Sequence, residues 1–426
     1  MNHIITNPPG LQSRIGLFTY WDMPEMTELS SDIGISYNGL DVESCTSLTS
    51  ISYPNLTSID PLNLGYGYVW ISYNTVLNTV NIPLLQHCSS DLTVNFCDVI
   101  PSIAFPEILT VGGQSFFSGN PLCASVDLRK LQTTFVDLAF GVNLPNPASD
   151  GLLANIRLDS FVDCGGQLLV TQLASLPSFS APQFVTASTG VKFQNLAAIT
   201  SISLPSFVSI DPTIAVFGPF WVKDCPLLTI LSTPLANIIA GAITITGNTQ
   251  LLAVNLPALT LSWGPLTFKD NPACTTIDCH SLLSTGSLYI GVPFGSGAAN
   301  DGSLTSIDFT SLSQALFIQI QQCDALTSVS FPTLPSCASG INISFNPALT
   351  SFSAPFWNPI GAQQVAFIAD ALDVTSVNNI LIQCAASTPG FTGPVSLYGG
   401  TNAAPTGAGA AAKATLITNG NAVVTN

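Results

Sequence analysis

The sequence predicts a mainly β fold, a parallel β-solenoid of about 12 to 13 coils closed by a small C-terminal α/β unit. Three observations lead there. A motif first met at Leu48 to Leu56, Leu-x-x-Ile-x-aromatic-Pro-x-Leu, returns along most of the chain. Each return is followed by a turn and a second segment in which apolar and polar residues alternate, the period of a strand. Beyond Pro355 this pattern gives way to two stretches of helical character.

The repeat sets the coils. Its proline-equivalent position falls at Pro54, Pro83, Pro106, Arg129, Asp159, Pro182, Pro205, Pro234, Pro257, Cys279, Thr310, Pro332 and Pro355, at intervals of 29, 23, 23, 30, 23, 23, 29, 23, 22, 31, 22 and 23 residues. Every third coil is therefore six to nine residues longer. A second period lies above the first: Asp60-Pro61 returns as Asp211-Pro212, Trp70 as Trp221, Asn120-Pro121 as Asn271-Pro272 and Cys123 as Cys274, always 151 residues on. An internal duplication of six coils each follows. Within a coil two strands are expected. Around Leu326 to Pro332, Leu326, Val329 and Phe331 face inward and Ser328 and Ser330 outward, and around Ala242 to Asn248, Ile243 and Ile245 face inward and Thr244 and Thr246 outward. Proline just after the first strand ends its ladder where a missing N–H is tolerated.

Residues 1–44 fit the repeat poorly, and Phe18, Tyr20, Trp21 and Pro24 suit an N-terminal cap; residues 45–357 form the solenoid. Residues 358–426 form the C-terminal α/β cap: a helix over Asp373 to Cys384 with Asp373 or Thr375 near its N-cap, a strand at Val395 to Tyr398, a helix over Ala408 to Thr418 and a strand at Asn421 to Thr425.

A column stands nine residues before the proline position: Cys45, Asn74, Cys97, Asn120, Asp150, Cys225, Asn248, Asn271 (one out of register), Asp301, Cys323 and Asn346. Stacked amides and thiols there can donate to buried carbonyls of the turn, which otherwise cost free energy. The cysteines thus gain a structural role as reduced thiols. This interchange of Asn and Cys resembles the leucine-rich repeat, and the wording LTSISxPxL with GxLxIxxNP resembles the BspA-like and receptor-L-type leucine-rich repeats of bacterial surface proteins over residues 45–357. That resemblance implies a leucine-rich-repeat solenoid and a binding surface. The closing phrase from Gly399 to Asn426 resembles the C-terminal cap of repeat proteins encoded by bacteria and tailed bacteriophages, although Asn421 stands where those caps carry Trp.

Composition excludes several functions. Only 8% of the 426 residues are charged and the net charge is −16, so no basic patch can be assembled and no nucleic-acid partner is expected. No run reaches eighteen apolar residues, which argues against membrane insertion. The start lacks a basic region followed by an apolar one, so no secretory signal is expected. His3, His87 and His280 have no nucleophile or acid at a repeated spacing, and neither H-x-x-x-H nor paired C-x-x-C occurs. No triad, no metal site and no cofactor are therefore expected. Asp127, Asp159, Asp278 and Asp308 lie near outward strand positions, as in solenoid glycan depolymerases, but the chain has four Glu and no pair stands apart, so no enzyme is expected. Asp150-Gly151 and Asp301-Gly302 read as turn formers rather than calcium ligands. The outward pairs Ser50/Ser52, Thr79/Asn81, Ser201/Ser203, Ser306/Asp308, Ser328/Ser330 and Ser351/Ser353 read as a soluble face.

Aromatic residues are the sharper signal. Trp70 and Trp221 fall on the outward phase of the second sheet beside the lengthened coils, with Tyr66, Tyr68 and Phe217 nearby, a candidate ligand-binding patch. The reading that joins these points is a non-enzymatic virion structural protein of a tailed bacteriophage, a fibre or a capsid or tail decoration. Its partners would be other virion proteins and a host-surface glycan or protein, with homo-oligomers open. The alternatives are a bacterial cell-surface adhesin and, third, a tailspike glycan depolymerase.

Overall fold

The computed structural model describes residues 3–6, 13–14, 18–63, 67–141, 150–210, 218–292, 301–361, 363–388 and 390–426. The chain divides into two units, Met1–Gly218 and Pro219–Asn426. Each is built the same way.

A coil of the first unit contains three strands, as in Thr79–Asn81, His87–Cys88 and Leu92–Asn95. Each pairs in parallel with its counterparts one coil away: Thr79 with Ser50, His87 with Ser58 and Thr110, Leu92 with Val69 and Ser115. Two strands per coil are expected from alternation, so the two-residue strand is an addition. It is too short to carry a period.

Two turns close each coil. The first is a hydrogen bond from Leu56 N to Tyr53 O, repeated at Ile108/Phe105, Leu131/Leu128 and Phe207/Leu204. Pro54 thus occupies the second turn position, where its fixed φ fits. The second turn begins with a left-handed residue: Ser44, Tyr73, Phe96, Gly119, Gly141, Gln172 and Asn195 all have φ between 52° and 83°. The column position follows directly, except after Gly141, where the lengthened coil intervenes before Asp150. Within the core of this unit, Phe161, Phe184 and Phe207 stack coil on coil with ring centroids 5.3 and 5.5 Å apart.

The column is a ladder with a fixed rule. Asn74 Oδ1 accepts from Cys45 N at 2.9 Å while its Nδ2 donates to Val42 O at 2.9 Å; Asn120 does the same to Cys97 N and Val94 O at 3.0 and 2.8 Å. Each amide therefore satisfies one N–H and one C=O of the preceding coil, the latter three residues before the column position. Asn248, Asn271 and Asn346 repeat this on Val222, Ile245 and Ile320. The acidic members accept: Asp150 takes Asn120 N and Asp301 takes Asn271 N, both at 2.6 Å. The thiols of Cys45, Cys97, Cys225 and Cys323 donate to the carbonyl two residues earlier. All eleven cysteines are buried and unbridged, and burial pushes the Cys97 thiol up to about 12. Thiols held so far above neutrality are inert packing groups.

One expectation is corrected and two gain detail. Within residues 1–44, expected as an N-terminal cap, the described strands Phe18–Trp21, Met26–Ser30, Ile35–Ser36 and Leu40–Glu43 pair in parallel with the strands that follow. Trp21 is 66% exposed, so it covers no core. In the second unit, Leu282 N donates to Cys279 O just as Leu131 N does to Leu128 O, so the proline-equivalent residue is His280 and not Cys279. The intervals there become 23 and 30, and Asn271 is in register.

The C-terminal segment also continues the coils. Gln364–Ile368, Val395–Leu397 and Val423–Thr425 pair successively in parallel, and helices α1 (Val374–Ala386) and α2 (Gly407–Thr418) replace the outer strands. Asp373 caps α1, accepting from Ser376 N at 2.7 Å. Asp370 and Asn402 extend the ladder, accepting from Asn346 N and donating to Phe367 O respectively; the sequence reading stops short of both. Among the described residues no helix is long and apolar enough to cross a membrane.

Candidate functional site

The sheet built from Val69–Ser72, Leu92–Asn95 and Ser115–Ser118 turns one column of side chains outward in the first unit. Asp41, Trp70, Thr93 and Phe116 are neighbours in that column by register. Trp70 is partly exposed and its Nε1 donates to Ser72 Oγ at 2.8 Å, which holds the indole in place. Thr93, between Trp70 and Phe116 in register, is fully buried.

Beside Trp70, Tyr68 lies over Gly39, where a Cβ would come within 2.7 Å of Tyr68 O and 3.1 Å of the ring. Glycine at 39 is therefore what admits the ring. Burial pushes the Asp41 carboxyl above its usual range, against the pull of the nearby Tyr68 hydroxyl. Tyr68 is raised by burial and then by the Asp41 charge. Asp41 Oδ1 is buried and has no hydrogen-bond partner among the described residues.

A second aromatic feature is not foreseen in the sequence reading. Tyr73 and Phe96, both left-handed turn residues, stack at 4.8 Å and 11°. Gly119 continues their column, and a Cβ there would meet the Phe96 ring at 2.5 Å. Tyr73 is half exposed. Aromatics recurring at 23 residues just before the ladder position were the available signal.

In the second unit Trp221 is also partly exposed on Phe220–Lys223, in register with Thr244. Lys223 Nζ lies 3.5 Å over its ring, a cation–π contact. The equivalent neighbour of Trp70 is Ser72, so the two tryptophans offer different chemistry at one coil position. Tyr66 and Phe217 lie outside the described residues.

Two shallow grooves complete the second unit's surface. One of about 380 Å³ is lined by Ser284, Ser313, Gln314, Leu316 and Ser336 among others, and one of about 270 Å³ by Phe352, Ser353, Asn379 and Gln383 among others. Neither contains a titratable side chain. Of the outward carboxylates, the structure places Asp127 with Arg129, Arg157 and Asp159 in the first unit, and Asp278 with His280 and Asp308 in the second.

No family model and no curated protein matches the chain. Among solved structures, a leucine-rich repeat protein from Bacteroides ovatus aligns with 77% of this chain and 83% of its own at 11% identity and a TM-score of 0.27. A TLR13–ssRNA13 complex aligns with 91% and 69% at 10% identity and a TM-score of 0.18. Likenesses that low carry no functional argument. On its own ladder, turn geometry and register, the chain folds as a leucine-rich-repeat β-solenoid.

Proposed function

We propose that this chain is a non-enzymatic adhesive repeat protein whose first unit binds a surface glycan on the Tyr68–Trp70 edge. The observation that carries it is a partly exposed indole whose Nε1 is held by Ser72 Oγ on the outward face of a paired strand. Sugar rings stack on such faces. A flat rigid sheet suits this task, since little conformational entropy is lost on binding. The finer assignment is to a tailed-phage virion, as fibre or decoration, on the resemblance of the closing segment to phage-encoded repeat proteins. Eleven buried free thiols suit a chain that folds in a reducing compartment.

A glycan array probed with the intact chain tests the binding. A hit that Trp70→Ala weakens about tenfold supports the reading. Absence of any hit, or a hit indifferent to Trp70→Ala, overturns it. Mass spectrometry of purified virions from the source tests the location, and absence of the chain there removes the virion assignment while leaving the adhesive one.

A further inference from the structure

The duplication puts one charged cluster on the molecule twice, with different chemistry. In the first unit, strands Ser125–Asp127 and Asn155–Arg157 set Asp127 beside Arg157. Arg129 grips the Asp127 carboxylate through Nε and Nη2, Arg157 lies 3.8 Å from the same carboxylate, and Arg157 also binds Asp159 at 2.7 Å. Burial alone would push the Asp127 carboxyl up; the Arg129 bonds outweigh it and hold the group below its usual range. Two carboxylates meet two guanidiniums, and the cluster is neutral.

The same four positions, 151 residues on, are Asp278, His280, Asp308 and Thr310. Strands Thr276–Asp278 and Ser306–Asp308 pair so that the two carboxylates are direct cross-strand neighbours. Like charges in that relation destabilise a sheet. Both arginines are gone. Among the described residues the only ion pair either carboxylate makes is Asp278 with His280, Nδ1 to Oδ1 at 2.8 Å. The backbone N–H groups of His280 and Thr310 bind Asp278 Oδ1 and Asp308 Oδ1, each at 3.0 Å, which orients the carboxylates and engages one oxygen of each. One ligand atom from each of Asp278, His280 and Asp308 lies within 4.8 Å of the others.

We propose that Asp278, His280 and Asp308 hold a divalent metal ion, which supplies the positive charge that Arg129 and Arg157 supply in the first copy. One imidazole nitrogen and two carboxylates form a mixed N/O set, suited to a borderline ion such as Zn²⁺; Mg²⁺ and Ca²⁺ favour oxygen alone. Ligands about 2.1 Å from a tetrahedral zinc sit roughly 3.4 Å apart, so half-exposed side chains reach that geometry by small rotations. Three protein ligands leave the fourth position open to solvent or to a donor on a bound partner. The absence of any H-x-x-x-H or paired C-x-x-C spacing says nothing here, because the third ligand comes from the next coil.

Calorimetric titration of the intact, chelator-treated chain with zinc chloride tests this. One equivalent is expected to bind to the wild type. Asp308→Arg and His280→Arg each import the residue that the first copy already carries at that register; with circular dichroism unchanged, each is expected to weaken binding at least tenfold. Conversely, Arg129→His with Arg157→Asp is expected to create a second equivalent. No zinc binding by the wild type, binding unmoved by Asp308→Arg, or magnesium binding as tight as zinc overturns the proposal.

Discussion

The turn at Asn120 and the turn at Leu196 belong to one unit and follow one backbone path, with Gly119 and Asn195 in the same left-handed conformation, yet their side chains have opposite chemistry. Asn120 satisfies Cys97 N and Val94 O of the coil before it. Leu196, like Leu173, is fully buried and has no polar atom to offer. The stretch that forgoes the amide is also the stretch that stacks Phe161, Phe184 and Phe207 and sets Phe179 edge-on to Phe193 at 5.1 Å. Coil stacking thus has two sources, amide bridges and aromatic packing, and where the amide is missing the core rings are left to supply it.

The largest test of that contrast removes the aromatic source. Phe184→Ala deletes the middle ring of the stack from a site with no exposure, and is expected to cost about 4 kcal/mol in urea unfolding. A loss under about 1 kcal/mol would show that hydrocarbon does not hold these coils. The next removes the amide source. Asn120→Leu leaves Cys97 N and Val94 O buried without partners, and is expected to cost about 3 kcal/mol, since each unmade bond forfeits roughly 1 to 3. If leucine at 120 is as well tolerated as leucine at 196 is by nature, the two turns are not held differently and the contrast fails.

Much of this was legible in the sequence, for a physical reason. A solenoid repeats one environment, so inward leucines, turn prolines and the Asn/Cys column recur at fixed spacing, and Asp373 announced its own helix cap. What stayed hidden had no repeated residue type. The left-handed position is filled by Ser44, Tyr73, Phe96, Gly119, Gln172 and Asn195 in turn, because the tight turn dictates φ and the side chains point to solvent or to each other. The two-residue strands are shorter than any period. Trp70 and Trp221 showed their outward phase, whereas the carboxylate in register with Trp70 is Asp41, a full coil earlier. Asp278 and Asp308 were visible as outward acids, but one residue of slip at Cys279 concealed that His280 replaces Arg129.

The smallest expected effect separates the acidic rungs of the ladder from the amide ones. Burial outweighs the bonds from Asn120 N and Gly119 N and pushes the Asp150 carboxyl up to about 6; it likewise raises Asp301 to about 6 and Asp370 to about 7. An unfolded aspartate titrates near 3.9. Between these values the folded chain keeps protons that the unfolded chain has released, so stability falls as pH rises. The contribution is whole below about pH 4 and is lost as pH climbs through the folded values, by about pH 7. Asn at 301 keeps the acceptor for Asn271 N, carries no charge, and brings a donor of the kind that every amide rung sends to the preceding coil. Asp301→Asn is therefore expected to match the wild type near pH 4 and to exceed it by about 2 kcal/mol at pH 8, read from urea midpoints at both values. An advantage that stays constant with pH would mean that Asp301 is ionised in its rung, and that the acidic rungs are held by their hydrogen bonds at full charge.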